Sequence, residues 1–165
     1  MQLVLVNIIR FVLLILIQVF LLDNIQFLGY VTPMIYILFI LSLPVRFHRG
    51  ALLILAFGMG LIIDMFNNTM GLHAFASVLM AFLRAPVIRM FVSIDEGANP
   101  SPSFRSIGVN SYIKYVIALV LAHHFVLFLM ESFSFFNLSL LVPKILISSV
   151  VTILLIFGVQ SLKSK

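Results

Sequence analysis

No cysteine occurs among the 165 residues. That excludes a disulfide framework, thiolate metal sites and thiol catalysis, and leaves the redox compartment open. Charge is nearly as scarce. Asp, Glu, Lys and Arg together make up 9% of the chain, against about 25% in soluble domains. Too little polar surface remains to coat a water-soluble globule. Catalytic signatures are missing as well: there is no GxSxG, no Walker motif, no HExxH and no pair of carboxylates at catalytic spacing. A two-aspartate intramembrane protease would need a second Asp inside a span. Here Asp64 lies in an apolar run, while Asp23 and Asp95 fall in loops expected on opposite sides of a membrane. No inverted repeat is evident, and six spans are few for a secondary transporter.

What the chain has in quantity is apolar sequence. Hydrophobic residues make up 63% and mean hydropathy is +1.26, which reads as an integral membrane protein without a sizeable soluble domain. The formal net charge of +5 would suggest nucleic acid only if the basic residues clustered. They sit instead in short loops between apolar runs, the pattern that orients membrane proteins, so no nucleic-acid partner is expected. The 17 phenylalanines are read as filler and lipid-facing surface.

Six spans are expected in an all-α transmembrane bundle that forms one domain over residues 1–165: about 3–22, 33–45, 51–66, 72–89, 112–130 and 138–159. The first covers about 30 Å, one hydrocarbon core. It lacks a small-residue cleavage site, so it reads as a retained helix, with Arg10 snorkelling to the nearer surface or meeting a partner. The second is short after Pro33, and residues 27–32 are expected as irregular or re-entrant backbone covered by protein. Tyr112 and Tyr115 are expected as interface anchors. The loop at about 92–111 carries Asn99-Pro100-Ser101-Pro102-Ser103, which cannot be helix; it is either a docking segment or a plain linker. The turns after spans one, three and five hold no Lys or Arg. Those after spans two and four, with the adjoining helix ends, hold Arg46, Arg49, Arg84, Arg89, Arg105 and Lys114. That asymmetry puts both termini in the cytoplasm.

The organising stretch is Ala56 to Arg89. Ala56, Gly60 and Asp64 follow one another at intervals of four and share a helix face. Beyond Asn67-Asn68-Thr69-Met70-Gly71, the next helix places Ala74, Ser77, Ala81 and Ala85 on one face, with Arg84 at its edge. Small faces let helix backbones approach closely in lipid, so Gly58 and Gly60 read as packing rather than hinge. A carboxylate there should face protein or a wet cavity. Asp64 is expected to fix the hairpin by hydrogen bonds or an ion pair, or to meet a partner helix. Depth alone suggests Lys144 as a partner of Asp64 or Glu131. His73 stands at the start of span four and His123-His124 lie in span five. Adjacent helical histidines point about 100° apart and cannot share one metal as i,i+4 histidines can, so neither metal nor cofactor is expected and all three are read as satisfied bundle contacts.

The segment GLIIDMFNNTMGLHAFASVLMAFLRAP resembles the central hairpin of the MreD family, the rod shape-determining membrane proteins of bacteria. The matching positions are Gly60, Asp64 and Gly71, with Ala74 and Ala81 in the small-residue stripe. Chain length, Pro33 opening span two and the short basic C-terminus fit the same layout. The resemblance implies a non-enzymatic subunit of the cell-elongation machinery in the bacterial inner membrane. It also implies an MreC-like single-span partner and, through it, MreB filaments, RodA and a class B transpeptidase. Anionic lipids are expected at the basic turns. The fold implied is similar to that of the S components that bind vitamins for energy-coupling-factor importers. An S-component-like small-molecule binder is therefore the alternative. Its docking face needs small residues on helix one, and residues 3–22 contain no Gly, Ala or Ser.

Overall fold

The structure is a computed structural model that describes residues 2–25, 31–92, 98–132 and 138–163. It is all-helical, and five of the described helices are long and apolar enough to cross a membrane. The chain is thus a multi-pass membrane protein. α1 (Gln2–Ile17) continues into a π-helical turn, Gln18–Leu22. A 3-10 turn (Ile35–Ile37) leads into the short α2 (Leu38–Ser42). Then come α3 (Arg49–Asn67), α4 (Leu72–Phe91), the single turn α5 (Phe104–Ile107), α6 (Val109–Glu131) and α7 (Leu138–Lys163).

α3 packs along α4, α4 against α6, and α6 against α7, while α1 lies against the 3-10 turn, α2 and α3. Each long helix keeps an apolar outer face, as at Ile54, Phe75, Phe125 and Leu154. The second apolar run behaves differently. Among the described residues it gives no helix of spanning length, and residues 35–42 are its helical part. Pro33 and Pro44 bound this stretch, and neither can continue a helical ladder. Tyr36, Ile37, Ile40 and Leu41 are fully buried, so this inner segment is the core around which the long helices stand. The expected second span is in this structure a short helical piece flanked by non-helical arms. Residues 27–30 of its expected re-entrant approach lie outside the described residues.

The loop before α6 folds back onto the bundle where it is described. Pro100 O accepts from the Val45 amide at 3.0 Å, and the Asn99 side chain accepts from the Arg46 amide at 2.7 Å. Phe104 packs edge-on against Tyr112, with centroids 4.8 Å apart.

Candidate functional site

Two groups of residues carry the polar chemistry of this bundle. The first is the α3–α4 hairpin. Gly71 caps the N-terminus of α4 with φ +83°, a left-handed conformation that glycine adopts without strain. Having no side chain, it cannot satisfy the free amides of the first helical turn. Asp64 does so from the end of α3: its carboxylate accepts from the amides of His73 at 3.0 Å and Ala74 at 2.9 Å, and from the Thr69 hydroxyl at 2.5 Å. The positive end of the α4 dipole adds to this stabilisation. One turn earlier, the backbones touch. A Cβ at Gly60 would sit 2.5 Å from Ala74 Cα and from His73 O. Gly60, Asp64, Gly71 and Ala74 therefore form one continuous contact, and Ala56, Ser77 and Ala81 are buried beside it.

The second group surrounds the inner segment. Its non-helical arms leave backbone groups without helical partners, and each such group in an apolar bundle costs free energy unless paired. The neighbouring helices supply the partners. Gln18, aimed inward by the π turn, donates to Pro33 O at 3.0 Å and accepts from the Ile35 amide at 2.8 Å. Thr152 accepts from the Met34 amide at 3.0 Å, and Ser148 from the Thr32 amide at 3.2 Å. Tyr115 donates to Leu41 O at 2.9 Å. Arg84 donates to the carbonyls of Leu43 and Pro44 and, through Nε, to the Tyr115 hydroxyl at 3.0 Å. In the middle, the Tyr36 hydroxyl bonds His73 Nδ1 at 3.1 Å and His123 Nε2 at 2.9 Å. It donates to one imidazole and accepts from the other. His124 turns the other way, to Thr152 at 3.1 Å.

This geometry decides between some expectations and corrects others. Of its two expected partners, Lys144 takes Glu131, at 2.8 Å, while the Asp64 oxygens are taken by the α4 amides and the Thr69 hydroxyl. Arg84, at the edge of the small face, points into the protein. It is 2% exposed, because the carbonyls of the segment's second arm need its donors. Tyr112 and Tyr115 are buried rather than interfacial, since α6 turns that face toward the inner segment. Arg10 reaches inward to the Ser42 hydroxyl at 3.0 Å rather than only outward. Gln18, Tyr36 and Thr152 were not candidates from sequence. The available signal was an apolar run too short to span and bracketed by prolines, which requires side-chain donors and acceptors from elsewhere.

Two cavities adjoin these groups. One, of about 170 Å³, is bordered by Asp23, Asn67, Thr69, His73, Glu131 and Lys144. The other, of about 520 Å³, opens at the opposite end of the α3–α4 pair beside Arg46, Arg49, Arg84 and Arg89. No protein-family model matches the chain, and neither a curated protein nor a solved structure shows significant similarity to it.

Proposed function

We propose that this chain is a non-catalytic membrane scaffold of the MreD type, a subunit of the bacterial cell-elongation complex. The observation that carries the reading is the hairpin. The residues on which the resemblance rests (Gly60, Asp64, Gly71 and Ala74) form a single backbone-level contact closed by one carboxylate. Such a unit gives a stiff platform, the property a scaffold needs. Gln18, Arg84, Tyr115, Ser148 and Thr152 are engaged in holding the backbone of the inner segment, which suits a structural role better than turnover.

In this reading the chain lies in the inner membrane with both termini cytoplasmic. The inner segment counts as the sixth crossing of an S-component-like bundle, since its helical and extended parts laid end to end reach about 30 Å. An MreC-like single-span protein is the direct partner. MreB, RodA and a class B transpeptidase are joined through it, and anionic lipids meet the basic end.

The second reading, a vitamin-binding S component, would use the cavity beside His73 and Lys144. Its volume of about 170 Å³ is below the roughly 300–1,000 Å³ usual for small-molecule sites, and α1 offers no small-residue docking face. The test is purification of the tagged chain from its native membrane in mild detergent, with mass spectrometry of what accompanies it. A single-span MreC-like protein and wall synthases are expected, and less of them with Asp64→Ala at matched abundance. Recovery of ATP-binding-cassette subunits with a large coupling protein would replace the scaffold by the importer.

A further inference from the structure

The α3–α4 pair is closed at one end and open at the other. At Gly60 the backbones touch. Toward the first turn of α3 and the last turns of α4, the helices and the turn before α3 enclose the cavity of about 520 Å³. This lies within the range of small-molecule sites, roughly 300–1,000 Å³. Four guanidinium groups line it: Arg46 from the turn, Arg49 from the start of α3, and Arg84 and Arg89 from α4. Among the described residues lining it there is no Asp or Glu. The charge is partly fixed. Arg84 is buried and held by the Leu43 and Pro44 carbonyls and the Tyr115 hydroxyl, none of which carries a negative charge. Arg46, Arg49 and Arg89 are exposed, and Arg49 rests on the Phe82 ring at 4.8 Å.

Four like charges around one cavity repel one another, and low-dielectric walls focus their field on whatever enters. An anion removes that cost. Guanidinium forks match phosphate oxygens in geometry and bond them with charge assistance. The remaining wall is apolar, with Val45, Leu52, Ile88 and Val92. Free phosphate would leave that wall unused, whereas a lipid would cover it with its glycerol and the root of an acyl chain. The site also lies at the ends of spanning helices, where headgroups sit.

We propose that this cavity binds the phosphate-bearing headgroup of an anionic membrane lipid, with Arg46, Arg49 and Arg89 on the phosphate oxygens and Arg84 as the fixed positive wall behind them. The proposal gives a site to the anionic lipids placed at the basic end above, and it does not depend on the scaffold reading, because it follows from the cavity, its charge and its place at the ends of the spanning helices.

Native mass spectrometry of the full chain in detergent tests it, with phosphatidylglycerol and phosphatidylcholine of equal chain length supplied in turn. Wild type should retain one phosphatidylglycerol in preference to phosphatidylcholine. Arg46→Gln with Arg89→Gln should lower that preference by about fivefold for each arginine removed. Lys114→Gln removes a charge from the same end but outside the cavity, and should leave the preference unchanged. Three results overturn the proposal. One is a wild-type chain without preference, as when Asp95 or Glu96, outside the described residues, takes the arginines instead. Another is an equal loss in Lys114→Gln, which would mean diffuse surface attraction. The third is no loss in the double variant. Displacement of the lipid by millimolar inorganic phosphate would assign the site to a soluble phosphate and overturn the lipid assignment.

Discussion

The α3–α4 hairpin and the inner segment are both buried in one bundle, yet they are held by opposite means. In the hairpin, two regular helices satisfy their own backbones and meet through small residues; one carboxylate closes the junction where a glycine cannot. In the inner segment the backbone is irregular, and side chains from the π turn, α4, α6 and α7 satisfy it one bond at a time. The first is a packing solution and the second a hydrogen-bonding one. Lipid explains the division. With no hydrophobic drive between helices, close approach needs small residues. With no water available, irregular backbone is tolerated only where protein covers it.

The hairpin should break most sharply at Gly60. A methyl there meets backbone atoms at 2.5 Å, and backbone cannot rotate aside as a flexible side chain could. Gly60→Ala should lower stability by about 3 kcal/mol, the upper part of the range for overpacking. Gly58 is the internal control, because a Cβ there meets nothing within 4 Å. Gly58→Ala should be neutral or stabilising by up to about 1 kcal/mol, through helix propensity alone. Thermal unfolding of the two purified variants side by side checks this. Equal losses would refute the close approach.

Asp64→Ala should come next. It strands the His73 and Ala74 amides and frees the Thr69 hydroxyl. Charge-assisted bonds of this kind are worth about 1.5–3 kcal/mol, and loss of a helix cap alone costs about 0.5–2 kcal/mol. A fall of about 2 kcal/mol is expected, with faster amide exchange in the first turn of α4. Asp64→Asn keeps one acceptor and should lose less. A loss confined to Asp64→Ala in the presence of a partner protein, with the isolated chain unaffected, would move Asp64 from the hairpin to the interface.

These two elements were not equally legible. Gly60, Asp64, Gly71 and Ala74 can be read from the chain because helical spacing encodes a shared face and the contact is local, closing within fifteen residues of sequence. The destination of the Asp64 carboxylate was less plain. Depth alone offered Lys144 as an ion-pair partner beside the hydrogen-bonding alternative, and Gly71, having no side chain, leaves amides that Asp64 bonds. The inner segment's bonds join residues as far apart as Met34 and Thr152, and no periodicity reports such a pairing. Tyr112 and Tyr115 show the same limit. A tyrosine near the end of a span satisfies the interfacial rule whether its ring faces lipid or protein. Only the destination of its hydroxyl separates the two, and Tyr115 finds Leu41 O.

The inner segment should therefore fail in smaller steps. Gln18→Leu keeps the volume but unpairs Pro33 O and the Ile35 amide and also removes the bond from the Gln18 side-chain amide to Asp23 Oδ1. Side-chain hydrogen bonds in membrane bundles average about 0.6 kcal/mol because the unfolded reference also finds partners. An irregular backbone arm has fewer alternatives, so a loss of about 1–2 kcal/mol is expected for the three bonds together. Unchanged unfolding in Gln18→Leu would mean that backbone rearrangement or water replaces the side chain, and the contrast with the hairpin would weaken.

The smallest effect belongs to Lys144 and Glu131, which join the end of α6 to the start of α7. The side chains are 25% and 48% exposed, and exposed pairs contribute about 0–1 kcal/mol. Lys144 has a second contact, with Nζ 4.5 Å from the centre of the Phe128 ring, which adds about 0.5–1 kcal/mol at an exposed site. Lys144→Gln removes both contacts and Glu131→Gln only the ion pair, so the lysine variant should lose more, up to about 2 kcal/mol against at most about 1 kcal/mol for the glutamate variant. Raising salt screens exposed charges and should shrink both losses, most completely for Glu131→Gln. Unlike Gly60→Ala, whose cost is steric, these differences should fade with ionic strength. If the Glu131→Gln loss persisted in high salt, the pair would be shielded from solvent and belong to the buried polar framework.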